Sequence, residues 1–148
     1  MGRIQFVSTA LLALLILFAA SVSADQPASP PAPTRTARDM AVSLPEVKKS
    51  VLAATGYDNA SIELTVGTYM LTVTVINSKL RNPKERELEA HKIAATITRA
   101  IATRAEYKSI QALHIDYVAR AAGEDESHIV DGIDFWKDPQ GNFKLHMT

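Results

Sequence analysis

Two of the titratable side chains of this chain are spaced to act together. His114 and Asp116 stand two residues apart in an alternating segment, so they share one face of a strand. By the same rule His128 and Asp134 share a face of the strand that follows. His114, Asp116 and His128 together are the set that a small metal-dependent or acid–base hydrolase would need to bring into one pocket. None of His91, His114, His128 and His146 falls into an HxxxH or HExxH spacing, however. Polar residues on an exposed sheet face are the commoner origin of such a pattern. On that reading the chain has no catalytic residue and no metal ligand.

Other chemistries are excluded more firmly. The chain contains no cysteine, which removes thiol catalysis, thiolate metal sites and disulfides together. No serine lies in GxSxG, and Gly67, Gly123 and Gly132 are isolated, so neither a nucleophile elbow nor a phosphate-cradling loop is present. No cofactor is therefore expected. The acidic run Glu124-Asp125-Glu126 lacks the alternating oxygen ligands of a calcium loop and reads as a solvated turn. Lys and Arg number 16, as do Asp and Glu. A chain this balanced has no basic stripe for nucleic acid and no cationic face for anionic membranes.

What remains is a contact surface. Met70, Thr72, Thr74 and Ile76 share the outward parity of one strand, and His114, Asp116 and Val118 that of another. Val130 and Trp136 join them in the register expected for the last long strand. A semi-apolar sheet face rimmed by an aromatic has the composition of a binding surface. Its partner is expected to be an envelope protein, a peptide or a second copy of the chain.

The elements that position these residues are legible from period and capping. Ser43-Leu44-Pro45-Glu46 has the form of a capping box, and Leu44, Val47, Val51 and Ala54 recur at helical spacing up to Gly56, predicting a helix over 43–55. Ile62, Leu64 and Val66 alternate with polar residues, as do Leu71, Val73 and Val75, giving two strands around a tight turn at Gly67. Asn82-Pro83-Lys84-Glu85 opens a second helix, with Ala90, Ile93, Ala94, Ile97 and Ile101 as its apolar stripe, running to about 104. Strands follow at 110–119 and 128–136, the latter with Ile129, Ile133 and Phe135 on the core parity. Asp131 shares that parity, so it must be buried and paired, or the register must differ. Asp138-Pro139-Gln140-Gly141 is a turn, after which residues 142–148 have room for a short edge strand. The expected fold is α+β: a two-layer sandwich in the order α-β-β-α-β-β, with two helices on one face of a mainly antiparallel four-stranded sheet.

The first 24 residues address the chain. Arg3 precedes an apolar run, and Val22 and Ala24 are small enough for a signal peptidase that cuts between Ala24 and Asp25. The expected location is periplasmic or secreted. The alternative is an uncleaved anchor over residues 4–24, the one case in which the chain would meet a membrane. Residues 25–39 hold four of the seven prolines and no large apolar residue, and read as a disordered linker ahead of a single domain at 40–148.

The run from Leu71 to Leu80, together with Glu85-Arg86-Glu87, Ala90, Ile93 and Ala94, resembles small uncharacterised secreted bacterial proteins. That resemblance implies a cell-envelope protein. The helix–hairpin–helix–strand order is similar to that of BON domains of envelope proteins, which implies binding to membranes or other envelope components. Neither resemblance carries a catalytic residue to this chain. The function expected is a non-catalytic binding or assembly module of the bacterial envelope. The alternatives are the His114/Asp116/His128 hydrolase and a homodimeric structural protein.

Overall fold

The computed structural model describes residues 34–123 and 126–146. The proposed signal, its Ala24/Asp25 cleavage site, the linker up to residue 33 and the Glu124-Asp125 pair lie outside these residues.

Helix α1 spans Arg35–Thr55, starting eight residues before the expected Ser43. Thr34 is its cap: the side-chain oxygen accepts from the Ala37 amide at 3.3 Å. Residues 35–39, expected in the disordered linker, are therefore helical. Ser43 is buried in mid-helix, and its hydroxyl donates to the Met40 carbonyl and lies 3.1 Å from the Tyr107 hydroxyl. The capping-box pattern is real, but burial overrides it. Met40, Ser43, Val47 and Val51 form one buried stripe, and Met40 ties the upstream turns to the core. Pro45 sits inside the helix. It leaves the Ala41 carbonyl without its helical donor, at a position exposed to water. Glu46, freed from capping, pairs instead with Arg104. Gly56 closes the helix in the left-handed conformation, its amide bonded to the Leu52 carbonyl at 2.8 Å.

Strands β1 (Ile62–Val66) and β2 (Met70–Ile76) form the expected hairpin, with the Gly67 amide bonded to the Met70 carbonyl. Helix α2 (Pro83–Ile101) begins where expected, with the Asn82 side chain accepting from the Lys84 amide at 2.9 Å. A 3-10 turn at Ala105–Tyr107 leads into β3 (Ala112–Arg120), β4 (Ser127–Lys137) and β5 (Phe143–Leu145).

The class is α+β as expected, but among the described residues the sheet has five strands rather than four, because the tail supplies β5. The spatial order follows the chain, β1-β2-β3-β4-β5. Among the described strands only β2 and β3 run parallel, and α2 is the crossover connection that such a pair requires. The three remaining pairings are antiparallel. One core joins both helices to the inward parity of the sheet, from Leu71, Val73 and Val75 through Leu113 and Ile115 to Phe135.

The register of β4 departs from its alternation. Tyr117 pairs with Asp131 but Val118 pairs with Ile129, so Val130 is the extra residue of a bulge. An extra residue reverses the parity of everything before it. Ile133 and Phe135 are buried as expected, whereas Ile129, expected in the core, is 71% exposed. Asp131 keeps the inward parity and is paired: its Oδ2 accepts from Arg86 Nε at 2.8 Å. Tyr117 closes the same corner by donating to the Arg86 carbonyl at 2.9 Å.

Candidate functional site on the outer sheet face

The helices cover one side of the sheet. On the other, the register aligns Thr72, His114 and Asp134 in one cross-strand row, and Thr74, Asp116 and Gly132 in the next. Met70, Ala112 and Trp136 form the row at the end. His114 is clamped between two carboxylates. Its Nδ1 lies 2.6 Å from Asp134 Oδ1 and its Nε2 lies 2.8 Å from Asp116 Oδ1. The space for this arrangement comes from Gly132. A Cβ there would meet His114 Cε1 at 3.4 Å and Asp116 Oδ1 at 3.5 Å, so any longer side chain would press on the pair.

Burial pulls the His114 pKa down, but the carboxylates of Asp134 and Asp116 outweigh it and hold the imidazole above its ordinary value. Each ring nitrogen has a carboxylate oxygen within hydrogen-bond distance, so neither faces the open surface without a partner. Because the folded state holds this proton more tightly than the unfolded chain, the stabilisation is fully present below the unfolded pKa of about 6.5. It is lost as pH rises through the higher folded value. Urea unfolding measured across neutral to alkaline pH is therefore expected to show stability falling from pH 6.5 upward, with a weaker slope in His114→Gln. An equal slope in that variant would refute the clamp as its source.

The structure brings together only part of the expected set. His114 and Asp116 are joined as the two-residue period predicts. His128 pairs with Ala119, while Asp134, expected beside it, pairs with His114. The Ala119 row that holds His128 lies five residues along β3 from the His114 row, about 17 Å at ~3.4 Å per residue. The hydrolase set of His114, Asp116 and His128 does not converge. Among the described residues no group of three or more His, Cys, Asp or Glu side chains could hold a metal ion.

Met70, Thr72 and Thr74 are half-buried on the outer face, where they were expected. Ile76 is not accessible, at 7% exposure: it lies beside the buried Val118, and the Arg120–Glu63 ion pair spans β2 at that end. Trp136 is 49% exposed at the opposite rim, its ring 5.7 Å from that of His146. His91 lies on α2 and packs edge-on against Phe135, on the core side of the sheet.

A second polar cluster was not legible in the sequence. The Tyr57 hydroxyl bonds to Ser78 Oγ at 2.8 Å and to Glu89 Oε2 at 3.2 Å. Burial pushes the Glu89 carboxyl above the usual carboxylate range. These residues come from α1's exit, the β2–α2 loop and α2, and no local pattern links them. Among the described residues no helix is long and apolar enough to cross a membrane. Comparison of the chain with family models, with curated proteins and with solved structures finds no match in any of the three.

Proposed function

We propose that this chain is an exported, non-catalytic binding or assembly module of the bacterial cell envelope, and that it engages a partner protein or peptide through the outer face of its sheet. The observation that carries this reading is the asymmetry of the two faces. One is sealed by both helices. The other has no layer over it among the described residues, yet it holds an ordered Asp134–His114–Asp116 clamp next to a half-exposed tryptophan. A rigid polar centre with an aromatic at its rim offers orientation and contact area together, and tryptophan is the side chain most enriched at binding hot spots. The occupied ring nitrogens favour binding over acid–base chemistry. The signal-like N-terminus supports a location outside the inner membrane, and the absence of cysteine is compatible with an oxidising compartment.

Recovery of partners from envelope extract tests this. Trp136→Ala and Thr74→Arg are expected to diminish the recovered set relative to the unaltered chain, with circular dichroism unchanged. Identical recovery by both variants would exclude the outer face as the binding surface. N-terminal sequencing of the exported protein tests the location, with Asp25 as the expected first residue.

A further inference from the structure

The two edges of the sheet are not alike. β5 is three residues long and carries Lys144 at its centre, the short charged form that blunts an edge against pairing. β1 is five residues long, Ile-Glu-Leu-Thr-Val, with no proline, glycine, bulge or lysine. Its hydrogen-bond parity follows from its two ends. The Gly67 amide bonds to the Met70 carbonyl, and the Ile76 amide to the Ser61 carbonyl, so the odd-numbered residues are those bonded to β2. Ile62, Leu64 and Val66 therefore turn their N–H and C=O groups to the outer edge, which no strand pairs with among the described residues. Unpaired groups of this kind are a template for another strand.

The surroundings define the strand that fits. Between β1 and the first half of α1 runs a groove of about 690 Å³, lined by Met40, Ala41, Leu44, Leu64 and Val66 with no charged side chain among the described residues of its walls. The only charge on β1 is Glu63, and Arg120 neutralises it at 3.0 Å. Charge complementarity thus calls for a neutral extended strand with apolar side chains on the parity that faces the groove. β1 is itself such a strand.

We propose that the free edge of β1 pairs antiparallel with β1 of a second copy of this chain, about a two-fold axis at Leu64, so that the two sheets become one. In this register Leu64 lies opposite its own counterpart and Ile62 lies opposite Val66 of the second copy. Every free N–H and C=O at these three positions then meets its complement, the self-matching that an isologous interface requires. Glu63 faces Thr65 of the second copy, so no like charges are opposed across the ladder. The half-exposed Leu64 and Val66 side chains gain apolar neighbours along the groove. This surface is separate from the outer face, so either proposal can fail without the other.

Light scattering on the protein purified as its host processes it is expected to give twice the monomer mass. Hydrogen exchange is expected to show the Leu64 and Val66 amides protected. Leu64→Lys puts a charge into the groove. Val66→Pro removes a donor that points only at the free edge, so the internal hairpin ladder keeps its bonds. Each is expected to weaken dimerisation by about tenfold or more, the equivalent of losing one or two net hydrogen bonds. Trp136→Ala is expected to leave the dimer intact. Should Leu64→Lys fail to fold, Val66→Pro and the exchange rates of the unaltered chain still decide. A monomer at every concentration, a dimer lost only in Trp136→Ala, or a monomer with protected edge amides (a different strand in place) would each overturn the proposal.

Discussion

Replacing Asp131 with alanine is expected to lower the unfolding free energy by about 3 kcal/mol, near the bottom of the range for breaking a buried ion pair. Arg86 is 6% exposed, and among the described residues its guanidinium has one carboxylate partner, Asp131, with the Leu80 and Arg81 carbonyls accepting from Nη1 at 3.2 and 2.9 Å. Without Asp131 the charge stays buried, held by carbonyl dipoles alone. Asp131 itself is about a quarter exposed, which lets water relieve part of the cost. Chemical denaturation near neutral pH measures the loss directly. The double replacement Arg86→Leu/Asp131→Leu is expected to cost less than the two single leucine replacements together, because it removes the charge with its partner. A loss under about 1 kcal/mol for Asp131→Ala would show that the pair is a surface bridge in its energetics. The pair also pins β4 just after the bulge, the point from which Gly132, Asp134 and Trp136 take their positions. In Asp131→Ala the His114 ring resonances are therefore expected to move as well.

Phe135→Ala is expected to cost about 4 kcal/mol, the usual loss for removing a buried phenylalanine and leaving its cavity. Phe135 has no exposed surface, pairs with Leu113 and Leu145, and meets the His91 ring edge-on at 5.3 Å. Its neighbour Trp136 is the larger residue but points outward and is half exposed. Trp136→Ala is expected to cost about 1 kcal/mol or less while diminishing partner recovery. The two thermal unfolding midpoints compare adjacent residues of one strand, so they isolate the effect of parity. Comparable losses in the two variants would contradict the register of β4.

Elements whose signals are local were legible in the chain. The Asn82 cap with Pro83 behind it, the apolar stripe of α2, the hairpin at Gly67 and the alternation of β2 and β3 each rest on residues within a few positions of one another. The start of α1 was not legible, although its cap pattern at Ser43 is sound. A cap is needed only where helical amides lack partners, and the packing of Met40 and Tyr107 around Ser43 moved that point upstream to Thr34. Ile129 escaped for a related reason. Alternation predicts parity only within an unbroken ladder, and the bulge at Val130 is set by what β3 offers across the strand.

The candidate site divides along the same line. That His114 and Asp116 share a face follows from the two-residue period of any strand, so the chain determines it by itself, as it does the absence of thiol chemistry and the balance of charge. That Asp134 completes the clamp, that His128 stands apart from it, and that Gly132 leaves it room were decided by tertiary structure alone. Each depends on which residue of β4 stands opposite which residue of β3. That register is chosen by burying Ile133 and Phe135 and by satisfying Arg86 with Asp131, contacts between segments too distant in sequence for any local pattern to record.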